Sequence, residues 1–210
     1  MRMRIRSALP REIPLVVDTF ARAFEADPMF CFLLPEERTR LAWLRFIMDA
    51  MVAMAAPDGF VLTSEGDSVL ASIALSPPGK YPTRYRRLVG HLLRPKSWSA
   101  GVPTRRIAVG SVRLLAKLEQ KHVEGRHWYV QTLGVHPSHQ GTGLGKQLLE
   151  AVLAMADRDA LPTYLETSNP KNLAFYRRFG FEVTWEESLS GGYPPLWGML
   201  RAARGARVED

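Results

Sequence analysis

The sequence predicts a single mixed α/β domain, and three observations carry that reading. Its 210 residues, 46% hydrophobic and 23% charged, suffice for one sizeable core. A β-α-β-α-β alternation runs from 127 to 187, where strand-length apolar segments alternate with helical periodicity. A strand-turn-strand pattern at 59–78 lies among helical stretches, so the chain interleaves the two kinds of element.

Taken in order, "RIRSA" (4–8) reads as a short first strand. In "PREIPLVVDTFARAF", Ile13, Val16, Val17, Phe20 and Phe24 recur at helical spacing, and Pro28 follows as a stop. "PEERTRLAWLRFIMDAMVAMAAP" reads as a second helix. Its Pro35 and acidic start suit an N-terminus, and Leu41, Leu44, Met48, Met51 and Ala55 recur every three or four residues. "GFVLTSEGDSVLASIALSPP" reads as a hairpin turning at Glu65-Gly66-Asp67-Ser68. The segment 77–104, rich in Pro, Gly, Arg and aromatics, reads as an insertion with a short helix near 83–93, and 105–124 as an amphipathic helix. A strand at 127–135 leads through His136-Pro137 into a glycine loop. A helix with Leu144, Leu148, Val152, Leu153 and Ala156 on one side follows. "PTYLETS" (162–168) is a strand. "NPKNLAFYRRFG" is a short helix closing at Gly180, a natural end for a helix. Two closing strands, 181–188 and 194–200, flank the turn "SGGYP", and 201–210 reads as a frayed tail.

Composition narrows the class of function. The formal net charge of +7 is a solvated basic face or a preference for an anionic ligand. One cysteine, Cys31, precludes a disulfide framework within the chain. The basic start "MRMRIRSALPREI" is followed by no apolar run, and "FIMDAMVAMAA" is too short for a bilayer and carries Asp49. A soluble, cytoplasmic protein without membrane contact is expected. His136 and His139 flank a turn and lack partners at metal-ligand spacing, so no metal is expected. The stretch "KYPTRYRRLVGHLLRPKSW" is basic and aromatic, but a solvated lid helix is the preferred reading over nucleic-acid contact.

The chemistry centres on "HPSHQGTGLGKQL", with Gly141, Gly143, Gly145 and then Lys146. A Walker loop needs four residues between its glycines and a hydroxyl after its lysine. Here Gly141 and Gly145 enclose three, and Gln147 replaces the hydroxyl. A dinucleotide fold would use Glu166, about 20 residues past the last glycine, but its glycines follow the strand directly, whereas "HPSHQ" intervenes here. What remains is a helix N-terminus stripped of side chains, which binds anions through unpaired N–H groups and its dipole.

A longer run is more specific. "LGVHPSHQGTGLGKQLL" joined to "YLETSNPKNLAFYRRFGFEV" resembles the GNAT superfamily of acyl-CoA-dependent N-acyltransferases, with Gln140, Gly143 and Gly145 in the pattern Q-x-x-G-x-G. The C-terminal half is similar to the puromycin N-acetyltransferase group, on those segments, "HWYVQ" and the final "WGM". The resemblance implies a mixed, mostly antiparallel central sheet of about six to seven strands flanked by helices and splayed at the acyl-CoA site, filling one domain over 1–210. It implies acetyl-CoA as the donor. The backbone from Gln140 through Gly141, Thr142, Gly143, Leu144 and Gly145 to Lys146 would hold the pyrophosphate. Leu133, Gly134 and Val135, with a bulge, would hold the pantetheine arm. Asn172 and Phe175 would contact the cofactor, and Tyr176 would serve as acid toward the leaving thiolate.

Asn172 and Tyr176 are four apart, so both project from one helix face. A phenol, with pKa about 10, is close enough to a thiol to share its proton. Many relatives place a carboxylate base on the strand before the glycine loop. Residues 127–132 hold no Asp or Glu, so Glu166 on the next strand is the first candidate base, ahead of Glu25, Asp27 and His91. Phe30, Phe32, Trp43, Phe46, Tyr81, Tyr85 and Trp98 suit a pocket for a small hydrophobic amine, or pack the core. The expected activity is acetyl transfer to a small-molecule amine. A peptide or protein N-acetyltransferase and a non-catalytic CoA-binding module are the alternatives. Oligomeric state stays open, a dimer included.

Overall fold

The computed structural model describes residues 4–56, 60–64, 68–79, 110, 121–188 and 191–204. The hairpin turn at 65–67, most of 77–104 (with Tyr81, Tyr85, His91 and Trp98), nearly all of the helix read over 105–124 and the end of the tail lie outside those residues.

The chain opens with β1 (Ile5–Ser7), a 3-10 turn over Pro10–Glu12 and α1 (Ile13–Ala23). Next comes α2 (Pro28–Leu33), which the sequence reading did not resolve as a helix. Pro28, read as a stop, is the first residue of α2, and Asp27 before it is the cap, accepting from the Met29 N–H at 3.0 Å. Then follow α3 (Glu37–Ala55), β2 (Val61–Ser64), β3 (Ala71–Ser76), β4 (Trp128–Val135), α4 (Leu144–Arg158), β5 (Thr163–Thr167), α5 (Pro170–Arg177), β6 (Glu182–Glu187) and β7 (Leu196–Arg201).

The strands form one seven-stranded sheet in the order β1-β2-β3-β4-β5-β7-β6. All its pairings are antiparallel except β4 with β5, which is parallel because α4 carries the chain back between them. On one face, Leu148, Leu149, Val152 and Ala156 of α4 bury against Ala71, Ile73, Leu75, Trp128, Val130 and Leu165. On the other, Val16, Val17 and Phe20 of α1 and Leu44, Ile47 and Met48 of α3 cover Val61 and Ala74. Each fully buried side chain of this size contributes about 1.5–3 kcal/mol. No helix among the described residues is long and apolar enough to cross a membrane, and no cluster of three metal-ligating side chains occurs among them.

Two features position the site. The β3–β4 register slips between Ala74, opposite Thr132, and Leu75, opposite Val130, so Gln131 is the extra residue of a bulge. The β4–β5 pairing runs Trp128↔Thr163, Tyr129↔Tyr164 and Val130↔Leu165 and ends there, although both strands continue.

Arg201, 3% exposed at the end of β7, grips Asp157 of α4 through two bonds of 2.7 and 2.8 Å and donates to the Phe179 carbonyl at 3.1 Å. The guanidinium holds the Asp157 carboxyl below its usual range. A lowered carboxylate pKa means stability present above the unfolded value, about 3.9, and lost as pH falls through the folded one. Asp157→Asn, which leaves Arg201 buried without its counter-charge, should cost roughly 3 kcal/mol in urea unfolding at pH 7. It should also flatten the loss of stability on acidification.

Candidate active site

Where β4 and β5 separate, their facing edges no longer share a ladder, and a cleft of about 1090 Å³ opens. Its floor is Leu133 and Val135. One end is Gln140, Gly141, Gly143, Leu144, Gly145 and Lys146. Asn172, Phe175 and Tyr176 of α5 form a wall, and Ala23, Phe24 and Asp27 close the other side. Most of the sequence-predicted residues are therefore brought together.

The loop is shaped by backbone conformation. Gly141 and Gly143 have φ of +79° and +88°, and a Cβ at either would meet nothing within 4 Å. The protein around them leaves room, so it is the left-handed backbone, and whatever approaches the loop, that favours glycine. Gly143 is the N-cap of α4, so the first N–H groups of that helix face the cleft without a side-chain cap. Gln140 fixes the loop to the strand, its Nε2 donating to the Val135 carbonyl at 3.2 Å. Lys146 is exposed and lies 3.7 Å from Glu150, an exposed pair of small energetic weight.

On α5, Asn169 caps the helix by accepting from the Lys171 N–H at 3.1 Å, and Asn172 Nδ2 donates to Thr167 Oγ1 at 3.1 Å, tying α5 to the end of β5. Phe175 meets the Tyr176 ring edge-on at 5.1 Å. Tyr176 is 8% exposed, and burial pushes its phenol well above the ordinary value. No hydrogen bond of its hydroxyl occurs among the described residues.

Three predicted residues stand apart from the cleft lining. Gly134 is needed for a different reason: a Cβ there would come within 2.7 Å of Phe20 Cδ1, so it admits α1 onto the opposite face of the sheet. Thr142 turns away, donating to the His139 carbonyl at 2.7 Å. Glu166 sits on the face opposite α4, where the Tyr129 hydroxyl donates to its Oε2 at 2.6 Å. Conversely, sequence reasoning missed Arg22, Lys171, Arg178 and Arg204 on the cleft walls and the bond between Asp27 and Ser168. The Asp-Pro pair at 27–28 was the one local signal for the latter, as the start of a helix.

Residues 17–181 match the model of the Acetyltransferase (GNAT) family. The chain belongs to that family. Over 61 residues it is 36% identical to an uncharacterised N-acetyltransferase of Schizosaccharomyces pombe, covering 29% of this chain and 25% of that protein. Over 71 residues it is 41% identical to mycothiol acetyltransferase of Streptomyces coelicolor, covering 32% and 23%. The chain thus matches about a quarter of the length of these curated relatives. A solved structure from Corynebacterium glutamicum, described as histone acetyltransferase HPA2 and related acetyltransferase, superposes with a TM-score of 0.67 at 20% identity, over 99% of this chain and all of that one, which establishes the GNAT fold.

GNAT enzymes generally use acetyl-CoA, and this cleft suits it. A side-chain-free helix N-terminus matches a pyrophosphate, and an unladdered strand edge matches the amides of a pantetheine arm. Gly143→Val places its Cβ clear of protein atoms and fills the space above the loop, at a cost of about 1–2 kcal/mol for a β-branched residue at positive φ. Calorimetric acetyl-CoA affinity should fall at least tenfold, about 1.4 kcal/mol. Unchanged affinity would remove the loop from the donor site.

Proposed function

We propose that this chain is an acetyl-CoA-dependent N-acetyltransferase that transfers acetyl to a primary amine of a small molecule by direct attack in a ternary complex. The observation that carries this reading is the continuity of the cleft. It joins the glycine-loop N-terminus of α4, the parted edge of β4 and Tyr176 in one space. The 41% identity over 71 residues to mycothiol acetyltransferase supports a small-molecule acceptor.

The donor, once bound, supplies a thioester carbonyl and a thiolate leaving group. The loop from Gln140 to Lys146 binds the anionic end through N–H groups and the α4 dipole. Leu133 and Val135 align the arm through their backbone while their side chains pack toward the α4 core. A backbone N–H near Leu133 would polarise the carbonyl, and loss of one such donor typically costs about 3 kcal/mol of transition-state stabilisation. Asn172 and Phe175 shape the wall beside the arm.

Tyr176 lines the cleft and would act toward the leaving sulfur of a bound donor. With its phenol pushed up by burial it stays protonated at any working pH. Full transfer to a thiolate of pKa about 8.5 is uphill, so the hydroxyl first donates a hydrogen bond to the developing charge and passes a proton only as the nitrogen releases one. Two carboxylates compete to receive the amine's proton: Glu166, bonded to Tyr129, and Asp27, in the cleft itself.

Thiol release over a panel of amines, amino acids and peptides tests the reading. Acetyl-CoA binding without thiol release would favour a binding module, and release with peptides alone would favour the protein-directed alternative. Tyr176→Phe should lower kcat about 100-fold and leave the acetyl-CoA Kd within about twofold. The thermal midpoint should not fall, since no hydrogen bond of the hydroxyl among the described residues is lost. Unchanged turnover would remove Tyr176 from the mechanism.

A further inference from the structure

Asp27 combines features that helix capping does not require. It is 9% exposed, lines the cleft with Leu133 and Tyr176, and accepts on Oδ1 from Met29 N–H at 3.0 Å and from Ser168 Oγ at 3.2 Å. Ser168, 6% exposed, directly follows the last residue of β5. Asn or Ser would cap α2 as well as Asp without burying a charge. No cation pairs with Asp27 among the described residues. Burial pushes its carboxyl above the usual range, against the opposing effect of its hydrogen bonds. A desolvated carboxylate without a counter-ion, facing an open cleft, is suited to a cationic ligand and is a stronger base than an ordinary Asp.

The surroundings indicate what kind of cation. Thr167 pairs with Trp197, so the turn before β7 lies beside Ser168. Tyr193 of that turn rests on Phe32 of α2 with ring centroids 4.4 Å apart, and both rings are exposed, at 37% and 39%. Phe24 and Phe30 meet edge-on at 5.8 Å next to the Asp27 cap. Among the described residues the only other acid lining the cleft is Glu150, beside Lys146 at the glycine-loop end. Among the described residues, the end near Asp27 therefore offers one carboxylate, the neighbouring Arg22 being paired with Asp18, and an aromatic wall at Phe24, which Phe30 backs.

We propose that Asp27, held by Ser168, receives the acceptor's ammonium group and takes its proton, and that the acceptor is a primary amine with a single positive charge and an aromatic or apolar flank. This rests on the acetyl-transfer reading above. The ammonium gives one proton to the Asp27 carboxylate, and the freed electron pair forms the N–C bond to the thioester carbonyl. The C–S bond breaks with its pair going to sulfur. The nitrogen sheds a second proton as sulfur gains one through the Tyr176 hydroxyl, and the amide keeps the third. Asp27 then returns its proton to water. Glu166, bonded to Tyr129 and outside the cleft lining, takes no part.

Asp27→Asn retains an oxygen for the cap and for Ser168 while removing the charge. With phenethylamine and benzylamine, its kcat/KM should fall at least about 100-fold, with the acetyl-CoA Kd within about twofold and the thermal midpoint not lowered. The wild type should prefer these amines to putrescine and spermidine by more than about tenfold, roughly 1.4 kcal/mol. Activity of Asp27→Asn within threefold of wild type overturns the proposal. So does a comparable loss in Glu166→Gln with Asp27→Asn still active, or a preference for the polyamines. A wild type that binds acetyl-CoA yet neither binds nor acetylates the aryl-alkylamines overturns the acceptor assignment and leaves the donor reading standing. Failure to bind acetyl-CoA at all removes both.

Discussion

Strands β4 and β5 are parallel neighbours for three residue pairs and then part, and every functional feature of the cleft depends on that separation. A parallel pair normally continues its ladder, because each unpaired backbone group removed from water costs about 1–3 kcal/mol. Here two elements enforce the parting. The bulge at Gln131 turns β4 against β3, and α5, tied by Asn172 to Thr167, commits the end of β5 elsewhere. The backbone edge so exposed is a half-built β-ladder, which a chain of amides would complete. Without the parting, the glycine loop would be an isolated helix start and Tyr176 only a core aromatic.

The glycines separate into two physical kinds that look alike in a motif. Gly141 and Gly143 are open around their absent Cβ and are needed for their left-handed backbone. Gly134 has no unusual φ and is needed for close packing, since Phe20 occupies the space a Cβ would fill. Gly145 lies between them: a Cβ there would sit 3.3 Å from Val135 and 3.9 Å from Phe175, where α4, β4 and α5 converge. Substitutions at Gly134 are thus felt through α1 and through the Asp27 cap that follows it, not through direct contact with a donor.

This division also shows what was legible in the sequence. The glycine loop, α4 and α5 were readable because their signals are local: spacing, caps and periodicity within a few residues. The seven strands were readable as segments, and the parting of β4 from β5 entered through the family resemblance alone, because no residue of either strand announces its neighbour. Asp27 ranked low because its importance comes from Ser168, 141 residues away in the chain. Glu166 ranked high because sequence places it on the strand next to β4 but cannot show that alternation turns it away from α4, toward Tyr129 and out of the cleft lining. Pro28 was read as the end of one helix when it begins another, since a proline at either boundary satisfies the same local rule.

Charge along the cleft has a direction that composition could not reveal. Lys146, Lys171, Arg178 and Arg204 lie on its walls, so the basic excess of the chain is partly concentrated where an anionic donor would enter. Arg201 adds nothing to that field at close range, because Asp157 neutralises it. Asp27 is the opposite pole, buried and without a cation among the described residues. A carboxylate in that state weakens the fold at neutral pH: its raised pKa means that deprotonation costs more folded than unfolded, so stability declines as pH rises through the folded value. A polar but uncharged residue would cap α2 without that cost. Its retention at the junction of α2, β5 and the β6–β7 turn is explained by a ligand that supplies the missing positive charge.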